Sequence, residues 1–111
     1  MRDFTFIMHD QGDAVVVEIG GELDMAAAES MQMALTRVVV RRPKLTVIDL
    51  SAATLIASVS MGAIIAFHGG VKLHGGKSRL VVPPGNVRES LRRARIDQVI
   101  DMFETVDAAL A

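Results

Sequence analysis

Side chains able to do acid–base, nucleophilic or ligand chemistry are few in this chain, and their spacing keeps them apart. The histidines are His9, His68 and His74. His68 and His74 lie six apart, on roughly opposite sides of a helix, and no cysteine exists to complete a metal site with them. Glu22 and Asp24 are alternate residues at a strand-to-helix turn. Asp24 reads there as a helix cap and Glu22 as a solvated neighbour, not as an acid–base pair. No histidine stands beside Ser58 or Ser60, and no G-x-S-x-G elbow is present. Gly69-Gly70 and Gly75-Gly76 match neither of the glycine-rich phosphate loops. Arg88, Arg92, Arg93 and Arg95, with Glu89 and Asp97 nearby, read as a solvated helix face. Met25, Met31, Met33 and Met61 read as core fillers, although thioethers can also make an adaptable binding face. No catalytic constellation, cofactor loop or metal set emerges, so the chain reads as a binding protein and not an enzyme.

Composition narrows the class further. The 111 residues fit one domain, and half are hydrophobic, enough for an ordinary core. The absence of cysteine excludes disulfide frameworks, thiolate zinc sites and iron–sulfur clusters, and fits a cytoplasmic protein. A net charge of −1 gives no field toward nucleic acid or anionic lipid, and four Phe with no Trp or Tyr leave little for base stacking. The opening Met1-Arg2-Asp3-Phe4 lacks a signal-peptide profile. Leu50 to Val71 carries no Asp, Glu, Lys or Arg, and roughly 20 apolar residues can span a bilayer. Ser51, Thr54, Ser58, Ser60, Gly62, His68, Gly69 and Gly70 interrupt that run, so it reads as a buried strand followed by a buried helix.

The elements that must carry these residues follow from periodicity. Phe4, Phe6 and Met8 alternate on one face of a first strand, and residues 14–19 (AVVVEI) make a second. The turn residues between them, His9 to Asp13, predict an antiparallel hairpin, and Gly20-Gly21 predicts the end of the second strand. Met31, Ala34, Leu35 and Val38 share one helical face, with Pro43 as the stop. Residues 45–50 read as a strand covered on both faces. A loop then leads to a helix bearing Met61, Ile64, Ile65 and His68, stopped by Gly75-Gly76. Residues 79–82 form a strand, Val87, Leu91 and Ala94 mark another helix, and Thr105 caps a last one ending at Leu110. Strands alternating with helices predict an α/β fold. Its sheet is mixed but mostly parallel, opens with a hairpin and is packed with about four helices. Residues 14–19, 45–50 and 79–82 are expected as parallel neighbours. Asp24 and Ser58 then fall at the same end of the sheet.

Gly21-Glu22-Leu23-Asp24, Asp49-Leu50-Ser51 and Leu55-Ile56-Ala57-Ser58-Val59-Ser60-Met61-Gly62, in that order, resemble the STAS domain of bacterial anti-sigma-factor antagonists. Gly75-Gly76 before a strand and the closing Asp107-Ala108-Ala109-Leu110 extend the resemblance over nearly the whole chain, as one STAS-like domain spanning 1–111. The resemblance implies docking around the start of the second long helix, at Asp24, Ser58, Val59, Ser60 and Met61. It also implies an anti-sigma factor, itself serine-kinase-like, as partner. The family pattern D-S-S-G is departed from at Ala57, Val59 and Ser60. Val59 stands at the phosphoacceptor position and has no hydroxyl. Three outcomes follow: the phosphoswitch is lost, Ser58 or Ser60 replaces it, or the chain serves other partners. The alternative within the same fold is a STAS subunit of a membrane transporter, such as a lipid-transport assembly.

Overall fold

The computed structural model describes residues 3–111. The β-branched opening folds as a hairpin: β1 (Thr5–Gln11) pairs antiparallel with β2 (Ala14–Leu23). Gly12, at φ +64, takes the first central position of the two-residue turn, where a positive φ suits glycine. The chain continues as α1 (Met25–Val40), β3 (Leu45–Asp49), β4 (Ala53–Ile56), α2 (Ser58–Leu73) and β5 (Lys77–Val81). It closes with α3 (Asn86–Arg93), a 3₁₀ turn at Ile96–Gln98, β6 (Met102–Phe103) and α4 (Val106–Leu110).

The sheet runs β1-β2-β3-β5-β6, with β4 pairing the far end of β2. Every pairing except the hairpin is parallel. The expected neighbours β2, β3 and β5 therefore stand side by side, as the strand–helix alternation required. Alternate residues divide between two faces. Val15, Val17, Ile19, Ile48 and Leu80 pack with Met31, Leu35, Ile64, Phe67 and Leu91 of the long helices and α3. Val16, Val47 and Val81 pack on Ala109 of α4. A strand buried on both sides has no polar alternation to show, which is why residues 14–17 read as one apolar run.

The structure corrects four expectations. First, Gly20-Gly21 does not end β2, which continues to Leu23. At Gly20 a Cβ would lie 2.8 Å from Thr5 Oγ1 and 2.9 Å from the Ala52 Cβ. Glycine here is a thin place where β1 and the β3–β4 loop close in, and the register shifts between Gly21 and Glu22 as β2 turns to β4. Second, the Ser/Ala/Thr loop after β3 contains β4, a four-residue strand. Third, the stretch between the helix of Val87 and Leu91 and the last helix, for which no strand was expected, holds a short one, β6, on the edge of β5. Fourth, Met31 and Met61 are core residues, but Met25 is 79% exposed and Met33 58%. Both project from the outer side of α1, away from the core.

Helix ends behave as read. Arg42 at φ +51 and then Pro43 turn the chain out of α1. Gly75 at φ +78 lets the Gly76 N–H reach the Val71 carbonyl at 2.8 Å.

Candidate functional site

β2 and β4 run parallel with Leu23 opposite Ile56, so both chains leave the sheet at the same edge and start a helix there. Asp24 follows β2 and caps α1: its Oδ1 accepts from the Ala27 N–H at 3.0 Å. Ala57 follows β4 and stands at the equivalent position of α2, where it has no side chain to offer the free N–H groups. The two helix starts are tied together. The Ala57 N–H donates to the Leu23 carbonyl at 2.8 Å, and the Ser60 hydroxyl donates to the Asp24 carbonyl at 3.2 Å.

The first turn of α2 sorts the remaining candidates by direction. Ser58 is exposed and Val59 is 47% exposed. Ser60 is fully buried, and Met61 belongs to the core. Residues 58–59 and 60–61 thus face opposite ways, as a 3.6-residue turn demands. Asp24 is half-buried. The structure brings Asp24, Ser58 and Ser60 to one end of the sheet, with Ser58 and Val59 exposed there. Exposed Met25 follows Asp24 on the same rim and was missed in the sequence, because an apolar residue at the head of an amphipathic helix reads as core.

Around this rim the surface is shallow. A cleft of about 190 Å³ beside Asp24 is lined by Asp3, Phe4, Glu22, Ala26, Ala27 and Ser30. On the other side, Asp49 Oδ1 accepts from the Ser51 N–H at 2.9 Å, and Asn86 Nδ2 donates to the Thr54 carbonyl at 3.1 Å. These contacts hold the loops after β3 and β5 beside the helix starts. The site presents a half-buried carboxylate, a hydroxyl and two apolar side chains, which suits contact with another protein surface.

The other singled-out groups lie elsewhere. His68 Nδ1 meets the Ser78 hydroxyl between α2 and β5. Burial, and then the nearby Lys72 charge, hold its pKa below the ordinary histidine value. Arg88 donates to the Val82 carbonyl at 3.1 Å, while Arg92, Arg93 and Arg95 are exposed. Among the described residues, no helix is long and apolar enough to cross a membrane.

Comparison with known proteins agrees with this layout. Residues 5–109 match the STAS domain. The anti-sigma-F factor antagonist RsfB of Mycobacterium tuberculosis is 31% identical over 107 residues, covering 96% of this chain and 86% of RsfB. The crystal structure of an anti-sigma factor antagonist from Mycobacterium paratuberculosis superposes with a TM-score of 0.91 at 28% identity, covering 97% of this chain and 92% of that one. A sulfate transporter family protein from Wolinella succinogenes shares the fold, with a TM-score of 0.77 at 19% identity over 92% of this chain and 85% of its own. Since the match begins at the first residue of β1 and reaches Ala109 in α4, taking in every strand of the sheet, the chain belongs to the STAS domain family.

Proposed function

We propose that this protein is an anti-sigma-factor antagonist that docks on its anti-sigma factor, in the cytoplasm, through the paired helix starts, and does so without a phosphoswitch. The likeness to RsfB supports the activity. The observation that carries the reading is Val59: it is exposed on the rim, at 47%, in the position where the family carries its phosphoacceptor. A partner reaching this surface meets Asp24, Met25, Ser58 and Val59, with Ser60 and Met61 holding them from beneath. Release of the sigma factor follows from competition: whatever occupies the anti-sigma factor's docking face excludes the other ligand.

Regulation by phosphate has no acceptor at residue 59. Ser60 is a poor substitute because its hydroxyl is buried against the Asp24 carbonyl. Ser58 is exposed but points one residue away from the family direction, so a kinase aligned on position 59 misses it.

The test is competition in purified components. The protein is titrated into a complex of the candidate anti-sigma factor with its fluorescently labelled sigma factor, with and without ATP. Sigma release that ATP does not reverse supports the reading. Absence of any binding to anti-sigma factors, with capture of membrane transporter subunits instead, replaces it with the transporter role.

A further inference from the structure

β1 is the outer strand of the sheet, and among the described residues no strand lies on its free edge. It runs from Thr5 to Gln11 in unbroken register with β2. It carries no proline, lysine or bulge, three of the devices that keep an edge strand from pairing, and its one charged residue, Asp10, is paired with Arg41 at 2.7 Å. Ile7 is 57% exposed and Met8 40%.

Backbone parity shows what that edge offers. Gln11 and Ala14 flank the two-residue turn, and in such a hairpin the flanking pair exchanges both its hydrogen bonds. Alternation then commits Thr5, Ile7, His9 and Gln11 to β2. It leaves the N–H and C=O groups of Phe6, Met8 and Asp10 pointing outward.

From this edge we propose that the protein forms a twofold homodimer by antiparallel pairing of β1 with β1 of a second copy, centred on Met8. In that register Met8 stands opposite Met8 of the second copy, and Phe6 opposite Asp10 of the second copy. On the other face Ile7 meets the second copy's His9, and Thr5 meets its Gln11. Every outward N–H finds a carbonyl, and no like charges of β1 itself are placed opposite each other; Arg41, which lies 3.2 Å from Met8 Sδ, approaches its counterpart across the axis with its own Asp10 as counter-ion at 2.7 Å. A parallel arrangement would set Asp10 beside Asp10 and His9 beside His9. It also cannot close on a twofold axis, so it would leave open ends. The antiparallel pairing joins two sheets into one and leaves the rim at Asp24 and Val59 outside the contact. One strand per copy is a small interface beside the roughly 1,600 Å² of a stable complex, so the dimer depends on concentration.

Sedimentation velocity across a rising concentration series tests this. The wild type is expected to approach twice the monomer mass. Met8→Pro removes an outward N–H but no hairpin hydrogen bond, and Ile7→Lys adds the charge that edge strands usually carry; both remain monomeric with unchanged circular dichroism. The chain has no native cysteine, so single thiols report the register. Met8→Cys brings two Cα atoms to about 5.5 Å, within disulfide reach. Ile7→Cys sits diagonally from its counterpart at about 7–8 Å. Met8→Cys is therefore expected to cross-link several-fold faster under mild oxidation. A wild type that stays monomeric throughout overturns the proposal. So does a dimer that survives both edge variants, or Ile7→Cys cross-linking as fast as Met8→Cys.

Discussion

The Ser60 hydroxyl donates to the Asp24 main-chain carbonyl across 3.2 Å, linking residues thirty-six apart in sequence and joining the first turn of α2 to the cap of α1. Ser60 is fully buried, and its hydroxyl holds the two helix starts in fixed relation. Asp24 in turn uses its side chain on Ala27 and its carbonyl on Ser60, so the position serves both helices.

Ser60→Ala is therefore expected to lower stability by about 1 kcal/mol, the usual net value of an intramolecular hydrogen bond. Urea denaturation measures this as a shift in midpoint at unchanged slope. On the proposed docking surface, affinity for the anti-sigma factor is expected to fall alongside, because the start of α2 loses its tie to Asp24. An unchanged midpoint would show that the hydrogen bond carries no net stability.

Helix capping gives a matched pair of opposite sign. Asp24→Ala removes the acceptor for the Ala27 N–H and is expected to cost about 1 kcal/mol. Ala57→Asp places a carboxylate at the uncapped start of α2 and is expected to raise stability by a similar amount, helped by the helix dipole. Thermal melts of both variants beside wild type decide the signs.

Val59→Ser, alone and with Ala57→Asp, restores a hydroxyl at the family position. Mass spectrometry after incubation with the cognate kinase and ATP is expected to find phosphate at residue 59 in the variants and almost none in wild type. The phosphate brings about −1.5 to −2 charges to the rim, and binding should weaken accordingly. Stoichiometric phosphate on wild-type Ser58, with loss of partner binding, would instead show that the switch moved by one residue.

His68 makes stability depend on pH. Burial and Lys72 depress its folded pKa, and it faces Ser78 in a cleft also lined by Lys77 and Asp101. The unfolded chain then binds this proton more tightly than the folded one. Stability is retained above the unfolded value of about 6.5 and is lost as pH falls from there toward the folded pKa. Urea midpoints measured downward from pH 8 are expected to fall in wild type and to flatten over that window in His68→Gln. A wild-type midpoint that holds steady or rises as the pH drops would contradict this sign.

Local rules decided much of this protein within the sequence itself. The alternation of strand and helix patterns required parallel neighbours, and β2, β3 and β5 took those places because crossovers through α1 and α2 return the chain in the same direction. Asp24, Thr105, Pro43 and Gly75-Gly76 marked helix ends because capping and stopping depend on one residue and its immediate backbone. Val59 excluded a hydroxyl at position 59 by residue type alone. The tertiary structure decided everything that depends on what lies opposite. β4 and β6 are too short to show a period, and they are strands only because β2 and β5 supply their hydrogen bonds. Gly20 signals a stop in isolation, yet here it admits Thr5 and Ala52 to a strand that continues. Met25 and Met31 share one residue type; one lies beneath the sheet and the other beyond its end. Ser58, Val59, Ser60 and Met61 are contiguous, and only packing of α2 against α1 and the sheet settles which pair faces solvent. Hydrophobic period records that a helix has an apolar side, whereas burial needs a neighbour, and the neighbours come from distant parts of the chain.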